Sequence, residues 1–327
     1  MKRREFMTLI SGAAAWPVVA RAQRPEQIRR IGVLTQGSIN SHPTPPFRAF
    51  LDALRQAGWD DGYNVKIEWR FSEGSAEDLP RLANELVEAP VEVIVTAPTE
   101  PTLAAKRATS TIPVVFVQVA DPVRSGVVTN LARPDANVTG MSALATDIAG
   151  KRLALIKEAL PGTRLVAVLW NRPSRGAALI LDELLIAGRR LGIEIQDAGV
   201  DTATEIEAAL HRAASRNATL VAVIDDPVLQ GHVATVTRLA EGLKLALVSQ
   251  SAEYARNGAL MAYGPDLDEL YRRGAGYVNR ILRGAKPADL PIQQPDKFNL
   301  ILNLKTAKAL GIEFPALLLA RADEVIE

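Results

Sequence analysis

Residues 91–122 read VEVIVTAPTEPTLAAKRATSTIPVVFVQVADP, and this stretch decides the fold. Residues 91–96 are apolar at both odd and even positions except Glu92, then Thr96. That is the pattern of a strand buried on both faces. A helical pattern follows through Leu103 to Ala108, after which Pro113 introduces a second apolar run at 114–117. Two fully buried strands separated by one amphipathic helix form a βαβ unit, so the two strands run parallel with the helix packed across them.

The same rhythm extends outward on both sides. Residues 31–35 form a short β-rich run, followed by a stripe at Phe47, Phe50, Leu51 and Leu54 that Gly58 closes. Residues 65–69 read as the next strand, and Leu79, Leu82, Ala83 and Leu86 as one helix face. Residues 121–140, rich in Pro, Gly and Asn, read as a loop. Strands are then expected at 165–170, 193–198, 220–224 and 245–248, with Leu181, Leu184, Leu185 and Leu191 on one helix face between the first two. Two βα series of similar length predict an α/β protein with two doubly wound parallel-sheet lobes. The length agrees, since 327 residues exceed what one core usually holds. With 48% apolar residues but 5% aromatics, the core is expected to be aliphatic.

Near residues 263–266 the alternation changes. A long helix carries Leu267, Leu270, Tyr271, Gly274, Val278 and Ile281 on one stripe, and residues 286–291 form a proline-stiffened passage. Residues 300–304 then read as a strand, followed by a helix to Leu310 that Gly311 stops. A chain that completes two lobes and then adds elements returns to the first, which makes several crossings and a hinge.

The first 22 residues have a basic head (Lys2, Arg3, Arg4), a short apolar middle and Ala20-Arg21-Ala22 at the end, the layout of an export signal. The adjacent arginines before Phe6 point to the twin-arginine route and a periplasmic destination. There are no cysteines, which excludes disulfides, thiolate metal sites and a lipid anchor on Cys. The whole chain carries a net charge of +1, and residues 1–22 hold +3 of it, so the remainder is −2. Such a surface offers no attraction to nucleic acid or to an anionic membrane.

The familiar catalytic signatures are missing. No GxGxxG follows the first strand, no GxxxxGK[ST] phosphate loop or GxSxG elbow occurs, and His42, His211 and His232 lack zinc-ligand spacing. The chain is therefore expected to be no enzyme, with no metal and no cofactor. What it does carry is small polar residues at the carboxyl ends of the expected strands, where open parallel sheets bind ligands. These are Gln36, Gly37 and Ser38; Thr96 and Thr99; Asp121; Asn171; and Asp225 with Asp226. Hydroxyls and helix N-termini suit a carboxylate, and aspartates suit an ammonium or sugar hydroxyls. The same residue types also serve as turn and N-cap residues of any βα loop.

Several strings also carry a family resemblance: KRREFMTLISGAAAWP, RRIGVLT, PTLAAKRAT, TIPVVFVQVADPV, NLARPDANVTG, AVLWN, YGPDLDELYRRGAGYVNRILRGAKPADLPIQQPDKFNL and NLKTAKALGIEFPALLLARADEVIE. Nearly end to end, the chain resembles the exported substrate-binding proteins of ABC importers, the group with tryptophan-binding-protein-like members. The resemblance implies a type I periplasmic-binding-protein fold with three crossings and the ligand in the cleft. It sets the first lobe at residues 29–139 plus 264–290, and the second at 140–263 plus 291–327. It implies a monomeric receptor for an amino-acid-like solute or aromatic acid, handed to an inner-membrane ABC permease. An exported sensing subunit for a sensor kinase is the alternative. A transcription regulator on the same core would need a helix-turn-helix ahead of Ile31, where the export signal stands.

The expected ligand-binding residues are Ser38, Thr96, Thr99, Asp121, Asn171, Asp226 and Tyr263, with no catalytic and no metal residues. Ser38 and Thr99 would donate to an anionic group, Asp121 would lie near the cleft floor, and Asn171 and Asp226 would complete the site. Tyr254 and Tyr263 are candidates for stacking, with core packing as the other role. One departure bears on specificity. Where family members commonly read Gly-Thr-Pro-Ala-Ala, this chain has Pro98-Thr99-Glu100-Pro101-Thr102, which adds a carboxylate at Glu100. Glu100 either faces solvent at a helix N-terminus or disfavours a simple amino acid.

Overall fold

The computed structural model describes residues 28–134 and 137–327, so the export signal read at 1–22 lies outside the described residues. The first series runs β1 (Arg29–Thr35), α1 (Pro45–Gln56), β2 (Val65–Phe71), α2 (Leu79–Glu88), β3 (Val93–Ala97), α3 (Thr99–Ala108), β4 (Val114–Val119) and β5 (Val138–Ser142). Its five strands are all parallel, in the order β2-β1-β3-β4-β5. Alternate residues face opposite layers. Ile31, Val33, Val93, Val95, Val115 and Val117 pack in the core with Phe47, Phe50 and Leu54 of α1. Leu34, Ile94, Val114 and Phe116 pack with Leu79, Leu82 and Leu86 of α2 and Ala104 and Ala105 of α3. Burying such a side chain contributes about 1.5–3 kcal/mol.

The second series runs α4 (Ala145–Ala159), β6 (Leu165–Leu169), α5 (Arg175–Leu191), β7 (Glu194–Asp197), α6 (Ile206–Ser215), β8 (Leu220–Val223), α7 (Pro227–Gln230), α8 (Val233–Gly242), β9 (Ala246–Ser249), α9 (Ala252–Arg256) and β10 (Met261–Pro265). After it come α10 (Leu267–Leu282), β11 (Phe298–Asn303), α11 (Leu304–Ala309), α12 (Ala316–Leu319) and β12 (Glu324–Ile326). The second sheet has seven strands in the order β12-β11-β10-β9-β8-β6-β7. In both sheets the chain starts inside, steps outward once and then winds the other way. Each lobe therefore has a topological switch point, between β1 and β3 and between β6 and β8.

The chain passes between the lobes three times. It leaves the first sheet after β5 and enters α4, which packs on α5 and β10. It returns after β10 into α10, which lies against α1 and β4. From there it runs along β5, where Thr139 Oγ1 donates to the Leu290 carbonyl at 2.6 Å and Ser142 N donates to the Gln293 carbonyl at 2.8 Å. It then crosses a last time into β11.

Two sequence expectations are corrected. Residues 121–140 are not loop throughout: β5 begins at Val138 and is a fifth strand, with Val138–Ser142 buried at every position. Its residues Thr139, Gly140 and Ser142 hide it from an apolar-run criterion. Gly140 has φ +153, and a Cβ there would stand 2.0 Å from the Phe116 carbonyl oxygen. The second sheet is also not purely parallel, because β11 runs antiparallel to β10. The last crossing delivers the chain to that edge from the opposite end.

The helix punctuation follows local chemistry. Pro45 and Pro46 open α1, and Ser174 caps α5 by accepting from Ala177 N. Gly192, with φ +65, ends α5 in the left-handed conformation. Among the described residues no helix is long and apolar enough to cross a membrane.

Candidate functional site

Loops at the carboxyl ends of parallel strands in both sheets face one cavity of about 1160 Å³ between the lobes. From the first lobe it is lined by Gln36 and Ser38 after β1, Thr99 and Glu100 at the start of α3, and Gln118 in β4. The second lobe supplies Asn171 after β6, Asp225 and Asp226 after β8, and Gln250 after β9. Both switch points open into it.

The lobes touch on two sides of this cavity. On one side Gly176, in the first turn of α5, lets the helix approach Thr99 and Ala120 so closely that a Cβ would meet Thr99 Oγ1 at 3.0 Å. Glu100 bridges the same place: its Oε1 accepts from Gly176 N at 3.3 Å and from Ser174 Oγ at 3.4 Å. So Glu100 neither turns to solvent nor blocks the cavity; its carboxylate sits on the N-terminus of the other lobe's helix, where partial positive charge favours it. Arg124 adds an ion pair to Glu183 at 2.6 Å. On the other side Gly74 lies against Val228 of α7, its Cβ position 3.5 Å from Val228 Cγ2.

The second-lobe floor is built around Asp226. Its Oδ1 accepts from Leu229 N at 3.0 Å and caps α7, while its Oδ2 accepts from Asn171 Nδ2. Burial pushes its carboxyl up to about 6, against the lowering effect of those two hydrogen bonds. The neighbouring Asp225 is pushed up to about 8, first by burial and then by the negative charge of Asp226 and Glu253; Arg152 partly offsets both. Arg152 lies fully buried behind the floor, donating to the Tyr263 carbonyl at 3.1 Å and to Gln250 Oε1 at 3.3 Å. Burial brings its guanidinium down to about 10.

An apolar wall comes from the first lobe. Phe47 and Tyr271 line the cavity with ring centroids 4.9 Å apart, edge to face. Behind them His42 packs on Phe47, Trp69 and Phe71, and burial lowers its imidazole to about 4, so it stays neutral. Tyr271 donates to Gln118 Oε1 at 3.0 Å, and Gln118 adopts φ +63 in the irregular part of the β4–β5 pairing.

Of the residues singled out from sequence, Ser38, Thr99, Asn171 and Asp226 line the cavity. Thr96, Asp121 and Tyr263 do not. Thr96 is fully buried, its hydroxyl shared with Thr102 Oγ1 at 2.8 Å. Asp121 accepts from Arg124 N at 2.9 Å and from Thr146 Oγ1 at 3.2 Å, which ties the end of β4 to the start of α4 at the first crossing. Tyr263 packs its ring on Phe298 under Lys151. Tyr254 is core, donating to the Leu229 carbonyl at 2.9 Å. Ser38 caps a short turn by accepting from Asn40 N and also hydrogen-bonds Glu73. Sequence reasoning missed Gln118, Gln250, Phe47 and Tyr271 as lining residues. The last two sat in helical stripes that read as core, and nothing in the pattern marks which end of a stripe reaches a cleft.

The chain is similar to known proteins. A curated tyrosine-binding protein of Clostridioides difficile (strain R20291) is 26% identical over 267 residues, 81% of this chain and 76% of that protein. Among solved structures, a conserved domain protein from Vibrio cholerae is 26% identical with a TM-score of 0.85, covering 91% of this chain and 100% of its own. The ABC domain from Streptococcus pneumonia, solved in complex with L-Trp, is 25% identical with a TM-score of 0.83, covering 91% and 99%. The family model for ABC transporter substrate binding proteins matches residues 44–326, nearly all of the described chain, and the protein belongs to that family.

Proposed function

We propose that the protein is an exported solute receptor that binds a small amine-bearing solute of the amino-acid kind between its lobes and presents the closed form to an ABC-type permease. The observation that carries this reading is the cavity itself. It sits at both switch points, is lined by both lobes, and is bridged by Glu100 onto the N-terminus of α5. Binding in such a place rewards closure, because each lobe holds only part of the ligand surface. No reaction is needed: the lining supplies hydrogen-bonding and charged groups, and the work is recognition. The relatives' L-Trp and tyrosine ligands support an amino-acid-like solute here, and the layout of residues 1–22 supports export.

In this reading Asn171 and Asp226 hold the ligand's donor groups from the second lobe, and Ser38 and Thr99 contact it from the first. Thr96, Asp121 and Tyr263 act behind the surface, on β3, on the hinge and on Arg152 respectively. The test is a thermal-shift screen of amino acids and organic amines against the protein without residues 1–22, repeated on Thr99→Ala and Asp226→Ala. At about 100 times its dissociation constant, a ligand adds about 2.7 kcal/mol of stability. Loss of that shift in both variants is the expected result. Equal shifts in wild type and both variants would place the ligand elsewhere.

A further inference from the structure

Gln118 is an added residue in an otherwise regular strand. Phe116 of β4 pairs with Gly140 and Val119 with Ser142, so three steps along β4 match two along β5. The packing records the same slip. Val115 and Val117 lie in the layer that meets α1, and Val114 and Phe116 in the layer that meets α2 and α3. Unbroken alternation would return Val119 to the first layer, yet it packs in the second with Phe116. Gln118 is therefore the extra residue of a β-bulge, a device that re-aims one side chain out of a ladder. The bulge holds it at φ +63, which glycine adopts freely and a residue with a Cβ does not. A glycine would make this turn with less strain, so what the position gains from glutamine lies in its side chain.

That side chain opens on the cavity with one end fixed. Every other residue of β4 is buried, whereas Gln118 is half-buried and lines the cavity. Its Oε1 accepts from the Tyr271 hydroxyl at 3.0 Å. Burial raises the Tyr271 phenol above its ordinary value, so the phenol keeps its proton. Turning the amide over would leave that buried proton without an acceptor among the described residues, so the oxygen belongs on Tyr271. Nε2 then carries two N–H donors with no partner among the described residues. Unlike Gln36 Oε1 or Asn171 Oδ1, it is not sealed from solvent. Phe47, its ring centroid 4.9 Å from that of Tyr271, continues the wall beside it.

We propose that Gln118 is a specificity-determining residue of the cleft, its Nε2 donating to an oxygen acceptor of the solute, a carboxylate or a phenol oxygen, while the solute's hydrocarbon part lies on Phe47 and Tyr271. This rests on the receptor reading above and gives it a residue. The amide N–H only donates, so a solute without an acceptor at that point strips water from it and returns nothing. Tyr271 is a positioning residue, because its hydroxyl decides which end of the amide faces the cavity.

Calorimetric titration of the protein without residues 1–22 tests this with L-tyrosine, L-phenylalanine and tyramine. L-Tyrosine carries both oxygens, L-phenylalanine lacks the phenol and tyramine lacks the carboxylate. Gln118→Met removes the donors without adding charge, and Gln118→Glu removes them while keeping an acceptor for Tyr271. Each is expected to weaken L-tyrosine by about tenfold, the scale of one hydrogen bond, and to spare the probe that lacks the contacted oxygen. Sparing of tyramine identifies the carboxylate, and sparing of L-phenylalanine the phenol. Tyr271→Phe is expected to give a smaller loss with the same probe spared. Equal weakening of all three probes, no weakening, or a collapsed melt of both Gln118 variants overturns the assignment and leaves the receptor reading standing. Silence from the three probes with another solute found in the screen above overturns the placement on Phe47 and Tyr271. Silence in both overturns the receptor reading as well.

Discussion

Gly176 gives the sharpest test of whether closure at the junction of α3 and α5 is required for binding. It lies in the first turn of α5, on the second lobe, facing Thr99 and Ala120 of the first. A Cβ at this position would stand 3.0 Å from Thr99 Oγ1 and 3.5 Å from Ala120 Cβ, so alanine fits only if the lobes shift by a few tenths of an ångström. Valine adds carbons about 1.5 Å further out, and these cannot be absorbed by a flexible neighbour because Thr99 and Ala120 are both buried and short. Overpacking of this kind costs about 1–3 kcal/mol. Here the cost falls on the closed arrangement alone, since the new atoms point at the other lobe rather than into the core of their own. Apparent affinity should therefore drop by about 5- to 150-fold in Gly176→Val, with Gly176→Ala between it and wild type. The ligand-free melting temperature should hold, because in a helix either residue is favoured over glycine. Titration with the tightest ligand from the thermal-shift screen, alongside small-angle scattering of the liganded protein, reads both quantities. Wild-type affinity in Gly176→Val would refute the reasoning, as would a lower affinity explained by a collapsed melting temperature.

Two further perturbations probe charge. Asp225 is held at about 8 by burial and by the facing carboxylates Asp226 and Glu253, with Arg152 opposing and Tyr254 neutral beside it. An ammonium group on the solute is favoured by the ionised form, so affinity for an amine-bearing solute should rise as pH climbs between about 6 and 8, with proton release on binding. The free protein should move oppositely. Its folded state keeps a proton that the unfolded chain has lost above about 4, so stability falls as pH rises through that window. Asp225→Asn should flatten both slopes, and pH-independent affinity in wild type would count against the assignment. Glu100→Ala removes the carboxylate from the N-terminus of α5, a loss of about 0.3–1 kcal/mol from the closed form. Relief of the repulsion that Glu100 exerts on Asp226 offsets part of that loss, and the net expectation is a more open free protein by scattering. An unchanged radius of gyration would show that the bridge holds nothing.

How much of the fold could be read from residues alone follows from burial. Strands buried on both faces, such as β3 and β8, appear as unbroken apolar runs because helices cover each side. The helix stripe through Leu270, Tyr271, Gly274 and Val278 was equally plain and is buried as read. β5 was illegible because its burial is achieved with Thr139, Gly140 and Ser142, residues that mark a loop when no partner strand is known. The antiparallel β11 was illegible for a different reason. Its apolar content is that of any core strand, and direction is set by the path of the last crossing, which no local pattern records.

The candidate site was legible as a set of positions but not as a set of directions. Any residue at the carboxyl end of a strand in a doubly wound sheet starts beside the ligand crevice, which is why Ser38, Thr99, Asn171 and Asp226 all line the cavity. Thr96 and Asp121 share that topology, yet their side chains turn inward to Thr102 and to Thr146, because a loop there also needs its own hydrogen bonds met. The difference between a lining residue and a bracing one is the direction its side chain takes from the backbone and the partner it finds there. Glu100 makes the point most clearly. Its sequence position allowed only two directions to be weighed, toward solvent or into the pocket, while its carboxylate reaches the N-terminus of a helix 75 positions further along, in the other lobe. The polarity of the cleft was likewise hidden: composition shows 37 Asp+Glu balanced by 38 Lys+Arg, yet seven of the acidic residues line the cavity and no lysine does. Net charge describes the surface that meets solvent, whereas selectivity is decided by the few charges the fold sets facing one another across a gap.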